Sequence, residues 1–276
     1  MIKGVLCSSG AMVTRFNGRD PRVLRGVWRD IEADGLEFMI YPSWDGRLEE
    51  IEETVRGISR ELSMDIPVVH ADKRIGELLS LGSDEQLEEA RARFIAGLGI
   101  ARRLGAGLIV LHLWGGAASD YHIKRNLSVL GDYYEEAEKR GLMLTVENVV
   151  CAKKTPLYHL KTIMRDFPEA RFTIDTKMAE FHAELSETVA CEALWSGRVS
   201  HLHVNDFGGT PGDFSDLRVL HIGEGHVDFA PFFKKVRESG YEGFATIEST
   251  SVFPDGSINV QKLNRSLNRV RDALKE

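Results

Sequence analysis

The segment Leu142-Met143-Leu144-Thr145-Val146-Glu147-Asn148 is apolar until its last residues, where a glutamate and an asparagine appear. The same change recurs in Thr173-Ile174-Asp175 and in Thr246-Ile247-Glu248. Buried parallel strands are nearly all apolar, and successive side chains of a strand point to opposite faces. The pattern therefore predicts strands whose Thr and acidic side chains share one face, while the aliphatic side chain between them takes the other.

Segments of this kind alternate with amphipathic ones along the 276 residues. Eight strands that alternate with helices predict a parallel sheet, and a closed barrel of eight such units typically needs about 250 residues. No glycine-rich phosphate fingerprint follows the first strand, which disfavours an open doubly wound sheet. We therefore predict an α/β fold, a single-domain (β/α)8 TIM barrel over residues 1–276. The strand candidates are Ile2–Cys7, Gly35–Tyr41, Ile66–His70, Leu108–Leu113, Leu142–Asn148, Phe172–Thr176, Val199–Asn205 and Phe244–Ser249. The helix candidates include Arg47–Ser63, Asp84–Arg103, Asp120–Lys139, Asp228–Ser239 and Ile258–Leu274.

The amino-acid composition limits the kinds of molecule that the chain is expected to bind. The chain carries 42 acidic and 35 basic residues, a formal net charge of −7. Charge-driven binding to nucleic acid normally needs a basic face, so we expect no nucleic-acid partner. No apolar run approaches the ~20 residues that cross a bilayer. The three cysteines, Cys7, Cys151 and Cys191, lack metal-knuckle spacing, and we expect a cytoplasmic protein with reduced thiols and no membrane contact.

Ionisable residues stand at the ends of six strand candidates. Active sites of TIM barrels lie at the C-terminal ends of the strands. Carboxylates that converge there repel one another and lose hydration, so a cation is their natural partner. The pattern therefore predicts a metal site at the mouth of the barrel. The six strand ends carry His70, His112, Glu147, Asp175, His203 and Glu248.

Five short motifs follow one another on successive strands or loops: Glu147-Asn148, Asp175-Thr176, His203-Val204-Asn205-Asp206, His221-Ile222-Gly223-Glu224-Gly225 and Glu248. Together they resemble the xylose isomerase-like TIM barrel superfamily. That superfamily includes sugar isomerases and epimerases, inosose-type dehydratases and apurinic endonucleases of the endonuclease IV type. The resemblance extends over essentially the whole chain, and it specifies the superfamily better than the substrate.

The resemblance implies a set of metal ligands, namely Glu147, Asp175, His203 and Glu248. Three carboxylates and one imidazole suit Mn²⁺ or Mg²⁺, with Co²⁺ and Zn²⁺ also possible. His203 is favoured over His201 because it stands in the family's His-x-Asn-Asp pattern. His201 would then lie deeper in the barrel as a core histidine.

The resemblance also implies a reaction. Glu147 and Glu248 would act as catalytic residues that remove and return a proton α to a carbonyl, through an enediolate. We therefore expect a metal-dependent isomerase or epimerase of carbohydrate metabolism that acts on a keto-sugar or polyol-derived substrate. Homo-oligomers are common in the family. Substrate-binding roles are expected for His70, His112, Trp114, Asp206 and His221, and the first two also match positions that hold an additional metal in the endonuclease branch.

Two segments depart from the family pattern. Many relatives carry histidine three residues after the aspartate of the sixth strand, where this chain has Met178. His182 would compensate only if its loop folded back. The segment Leu217-Arg218-Val219-Leu220 lacks the Asp-x-His ligands of a trinuclear zinc endonuclease. Together with the acidic net charge, this disfavours an apurinic endonuclease.

Two other functions remain open at this stage. A lyase that dehydrates an inosose or a dehydroshikimate-like acid would use the same site, with His70, His112 or His221 as the acid that expels hydroxide. A non-catalytic sugar-binding barrel is favoured by Met178, but it would not need the cluster of carboxylates.

Overall fold

The computed structural model describes residues 2–275, which form a closed barrel of eight parallel strands. The strands are β1 (Gly4–Ser8), β2 (Leu36–Met39), β3 (Val68–His70), β4 (Leu108–Leu111), β5 (Met143–Glu147), β6 (Arg171–Asp175), β7 (Val199–His203) and β8 (Phe244–Ile247). Each strand pairs with the next one in the chain, and β8 pairs with β1, which closes the barrel. The predicted TIM barrel is confirmed, and each strand candidate contains most or all of one of these strands.

Helices connect the strands and pack around the barrel. They are α1 (Val23–Val27), α2 (Leu48–Leu62), α3 (Arg74–Leu81), α4 (Asp84–Leu104), α5 (Ile123–Ser128), α6 (Leu130–Glu138), α7 (Pro156–Asp166), α8 (Thr176–Phe181), α9 (Leu185–Ala190), α10 (Glu192–Trp195), α11 (Phe229–Glu238) and α12 (Val260–Ala273). Local sequence explains the ends of α4. Ser83 and Gln86 form a reciprocal capping box at its start, and Gly105 ends it with a positive φ of 80°.

The prediction of a single helix over Asp120–Lys139 is wrong. The helical segment begins only at Ile123 and is divided at Val129 into α5 and α6. Asp120 is excluded because its carboxylate accepts hydrogen bonds from the backbone N–H groups of residues 152, 153 and 154 at 2.8 Å each. A distant loop therefore fixes a residue that local propensity had assigned to a helix.

The barrel interior is layered along its axis. Apolar side chains fill the N-terminal end, and the Oγ1 atoms of Thr145 and Thr173 lie 2.8 Å apart above them. The aliphatic neighbours Val146 and Ile174 are fully buried in the larger core between the barrel and the helices. The predicted division of the two strand faces is confirmed, and it directs the ionisable strand ends into the C-terminal mouth. The apolar layer consists of Leu6, Val68, Leu108 and Val110, with Phe244 against it.

No helix within residues 2–275 is both long and apolar enough to cross a membrane.

The positions of the cysteines give a direct check of the packing. Cys7 and Cys151 are buried and Cys191 is partly exposed. Burial raises the pKa of the Cys7 thiol to about 12 and raises the pKa of Cys151 as well. Because the thiolate is the reactive form, we expect Ellman's reagent at pH 8 to modify one thiol in the native protein and three in denaturant. Cys191→Ser should leave no reactive thiol in the native protein, and rapid reaction of all three native thiols would contradict this packing.

Candidate metal centre

The ends of four consecutive strands converge on one point. Glu147, Asp175, His203 and Glu248 each offer a ligand atom, and these four atoms all lie within 4.8 Å of one another. The first three side chains are buried and that of Glu248 is only 8% exposed. The structure thus brings together the four residues that the sequence had suggested as ligands.

Two asparagines that follow these strands hold the acids in place. Asn148 accepts a hydrogen bond from the backbone N–H of Asp175 at 2.6 Å and donates to its carbonyl at 3.0 Å. Asn205 accepts from the backbone N–H of Glu248 at 3.0 Å and donates to its Oε2 at 3.1 Å. Each asparagine therefore fixes the acid on a neighbouring strand, which explains their places in the motifs.

A second group of possible ligands shares Glu147. His70 Nε2 lies 3.2 Å from Glu147 Oε2, and His112 Nε2 lies 2.7 Å from the same oxygen. Although that second distance is short, the two atoms are not aligned for a hydrogen bond, and His112 Nε2 has no hydrogen-bond partner among residues 2–275. The fold therefore groups these three residues as a second set of three ligand atoms.

The chemistry of these contacts fits a cation. His70 Nδ1 lies 2.7 Å from the carbonyl oxygen of Ala71 and must donate to it. In a neutral imidazole, Nε2 then presents a lone pair to the Glu147 carboxylate, which is repulsive. A proton or a metal ion between the two atoms removes that repulsion. Glu248 Oε1 is likewise buried without a hydrogen-bond partner in the described part of the chain.

Glu37 is a buried acid that the sequence interpretation missed. It lies on β2 with no exposed surface and contacts both His201 and His203. The other acids were recognised because each stands at the end of a strand candidate. Glu37 stands inside a strand candidate and therefore did not fit that pattern. The alternation Leu36-Glu37-Phe38 could have located it, because period-two geometry places Glu37 on the interior face.

Two lysines near the carboxylates were also missed. Lys177 is buried, and its Nζ lies 3.8 Å from Asp175 Oδ2. Lys73 follows β3 and is half-buried. Burial lowers the pKa of Lys73, but the surrounding carboxylates, led by Glu248 and Glu147, outweigh it and hold that pKa above its ordinary value. Both side chains therefore add positive charge to an otherwise acidic site.

Three residues predicted to bind substrate make close contacts within the protein. Asp206 accepts hydrogen bonds from the backbone N–H groups of residues 223, 225 and 227, so it holds the loop after β7. His221 contacts the hydroxyls of Ser266 and Ser251 with its two ring nitrogens at 2.7 and 2.8 Å. Trp114 is fully buried and donates to the Val149 carbonyl. These contacts favour a structural role for all three.

His182, which was considered as a substitute for the family histidine that Met178 replaces, also has a partner outside the candidate site. His182 Nε2 accepts a hydrogen bond from the backbone N–H of Cys151 at 3.0 Å. Met178 itself is buried at the start of α8. His182 therefore does not compensate for Met178.

Mutual interaction sets the charge states within the site. Burial lowers the pKa of His203, but Glu248, Glu37 and Glu147 hold it well above its ordinary value. Burial raises the pKa of Glu147, and His112 and His203 outweigh this and hold it well below its ordinary value. For Asp175 burial prevails and raises the pKa to about 6.

These shifts predict how metal binding depends on pH. A metal ion at this centre competes with the proton of His203 and, below about pH 6, with a proton on Asp175. We therefore expect the affinity for Mn²⁺ to rise steadily between pH 5 and pH 8, with protons released on binding near neutral pH. Calorimetry in buffers of different ionisation enthalpy measures that release. An affinity that is constant over this range would contradict the assignment of these ligands.

Comparison with known proteins gives the family. The sequence pattern of the xylose isomerase-like TIM barrel family matches residues 27–270. The chain belongs to this family. The resemblance proposed from the motifs is thereby confirmed over most of the chain.

Several solved structures share the fold at low sequence identity. A D-tagatose 3-epimerase-like protein is 19% identical, with a TM-score of 0.75 over 99% of this chain and 97% of its own. A D-allulose 3-epimerase from Methylomonas sp., solved with D-allulose, is 15% identical, with a TM-score of 0.73 over 98% and 96%. The IolI protein, solved with a zinc atom, is 14% identical, with a TM-score of 0.71 over 99% and 98%.

One curated relative also matches the sequence. It is an uncharacterised protein from Methanocaldococcus jannaschii, 26% identical over 164 residues. The match covers 55% of this chain and 54% of that relative, so it spans about half the length of each.

Proposed function

We propose that the chain is a divalent-metal-dependent sugar epimerase or isomerase that moves a proton α to the carbonyl of a keto-sugar. The observation that carries the proposal is the convergence of Glu147, Asp175, His203 and Glu248 within 4.8 Å at the mouth of the barrel. Proteins with this fold include ones described as D-tagatose 3-epimerase-like and D-allulose 3-epimerase.

The donor set suits a hard or borderline divalent ion such as Mn²⁺, Mg²⁺, Co²⁺ or Zn²⁺. Asp175 and His203 would hold the ion, together with one oxygen each of Glu147 and Glu248. When bound, the ion supplies Lewis-acid stabilisation of negative charge on substrate oxygens.

Glu147 and Glu248 differ in their readiness to accept a proton. Both oxygens of Glu147 have histidine neighbours, at 2.7 to 3.2 Å. Glu248 Oε1 is buried and has no hydrogen-bond partner within residues 2–275. Glu248 is therefore the better general base for the first proton transfer. In epimerisation Glu147 would protonate the opposite face with a proton that it takes up from solvent, and Glu248 would release the proton that it removed.

The environments of the histidines near the candidate metal centre favour isomerisation over dehydration. A dehydratase needs a proton donor to expel hydroxide, and burial lowers the pKa of His112 to about 4, so that it is neutral near pH 7. Both ring nitrogens of His221 already contact serine hydroxyls, those of Ser266 and Ser251. Two of the three histidines considered for the acid role are therefore poorly suited to it.

Proton exchange with a small panel of keto-sugars tests the proposal. The Mn²⁺-loaded protein would be incubated in D₂O with D-tagatose, D-allulose and L-ribulose and followed by NMR. We expect deuterium at the carbon next to the carbonyl and a new epimer for at least one sugar, and neither with Glu248→Gln. Loss of water from the substrate would indicate a lyase instead. Binding of sugars without exchange would favour the non-catalytic barrel.

A further inference from the structure

A continuous line of buried polar contacts runs from the candidate metal centre into the barrel. Glu37 Oε1 lies 3.0 Å from His203 Nε2, and Glu37 Oε2 lies 2.7 Å from His201 Nε2. All three side chains have no exposed surface. On the other side of its ring, His203 Nδ1 lies 3.1 Å from Glu147 Oε1 and 3.4 Å from Glu248 Oε2.

We infer that Glu37 is a positioning residue, which fixes the tautomer and the ring orientation of His203 so that its Nδ1 atom faces the metal. The inference rests on the proposed metal-dependent function. It goes beyond that function by assigning a role to an acid that binds neither metal nor substrate, and by naming the ligand atom.

The hydrogen bonds to Glu37 determine which ring nitrogens of His201 and His203 carry a proton. An ionised carboxylate only accepts hydrogen bonds, so His201 and His203 must each donate their Nε2 proton to Glu37. In the metal-free protein the proton on His203 Nδ1 then faces Glu147 and Glu248. When a cation displaces that proton, the Nδ1 lone pair is free to bind the cation there. A histidine ligand whose other ring nitrogen donates to a carboxylate is held in one orientation and is a stronger base.

The contacts of His201 show that this line of contacts ends inside the protein. Its Nδ1 atom is buried without a hydrogen-bond partner in the described part of the chain, and its Nε2 lies 3.1 Å from Thr246 Oγ1. His201 therefore fits the predicted role of a core histidine, and its shortest polar contact is with Glu37. It occupies the second oxygen of Glu37 and so leaves only Oε1 for His203.

A buried carboxylate such as Glu37 is costly to the fold. Taking an ion out of water costs several kcal/mol, and the same barrel interior holds apolar side chains one layer below. No Lys or Arg among residues 2–275 forms an ion pair within 4.0 Å of Glu37, whose close ionisable partners are the two histidines. The geometry therefore connects Glu37 to the metal centre through His203.

The test compares Glu37→Gln with Glu52→Gln. Glu52 is a matched control because it is also a buried glutamate, but on α2, where it pairs with Arg103. For Glu37→Gln we expect the affinity for Mn²⁺, measured by competition with a chelator, to fall roughly 10- to 100-fold. The visible spectrum of the Co²⁺-loaded protein should also change. Glu37→Asp should restore part of the affinity, and Glu52→Gln should keep wild-type affinity and spectrum.

A second measurement on the wild-type protein needs no mutant to fold. With ¹⁵N-labelled histidine and ¹¹³Cd bound, NMR should show coupling of cadmium to Nδ1 of His203, and a proton on its Nε2. Coupling to Nε2, or unchanged affinity in Glu37→Gln, would overturn the inference while leaving the metal centre intact. If the wild-type protein bound no divalent ion at all, the proposed function would fail and this inference with it.

Discussion

Replacing Glu147 by glutamine is expected to remove the metal ion and to lower turnover by about 100- to 10,000-fold. Glu147 belongs to the two groups of possible ligands at the mouth of the barrel, and its two oxygens approach His70, His112 and His203. A glutamine side chain lacks the charge, and its amide nitrogen cannot bind a cation. Loss of metal is measured by mass spectrometry of the purified variant, and loss of turnover by the deuterium-exchange assay.

The fold should survive this change, because the barrel is built by apolar contacts elsewhere. Circular dichroism should therefore match that of the wild-type protein. Glu52→Gln again serves as the matched control and should retain metal and activity. If Glu147→Gln kept both, neither group of ligands would be correct.

Replacing Lys177 by methionine is expected to tighten metal binding while it destabilises the metal-free protein. The Lys177 ammonium lies 3.8 Å from Asp175 Oδ2 and would repel a divalent ion held by that carboxylate. Its removal should raise the affinity for Mn²⁺ roughly tenfold. In the metal-free variant, the clustered carboxylates lack the positive charge of Lys177 as well as that of the ion. Their mutual repulsion then lowers the stability of the protein.

Thermal unfolding with and without Mn²⁺ measures both effects. For Lys177→Met we expect a lower Tm without metal and a larger rise in Tm on adding it, since a ligand stabilises the native state according to its affinity. Lys161→Met, a change of an exposed lysine on α7, should alter neither value. Weaker metal binding in Lys177→Met would mean that this lysine supports the ligands instead of balancing their charge.

The fold and the convergence of the four candidate ligands at the strand ends were predictable because they depend on local pattern. Hydrophobic alternation locates a strand, and an acid at its end on the interior face can only point into the barrel mouth. Glu147, Asp175 and Glu248 each follow a Thr-aliphatic pair, so one rule places all three. His203 needed the family resemblance in addition, because His201 shares its face.

The residues that were missed or given other roles depend on tertiary structure. The alternation around Glu37 could have placed it on the interior face, but its contacts with His201 and His203 on another strand depend on the closed barrel. Lysine side chains such as Lys177 are usually solvated at the surface, so burial there is visible only in the fold. The orientation of Asp206 is set by its contact with the backbone of residue 223, and that of His221 by its contact with Ser266 on α12. Composition and spacing do not contain that information.

The most direct test of the central claim is metal analysis of the purified protein by mass spectrometry, with Asp175→Ala as the control. The metal centre predicts at least one Mn, Co, Mg or Zn ion per chain in the wild-type protein, and its loss in the variant. Two ions per chain would indicate a second occupied group, for which His70, His112 and Glu147 are the candidates at the barrel mouth. A wild-type protein that carries no divalent ion, and takes up none when Mn²⁺ or Zn²⁺ is added, would contradict the account.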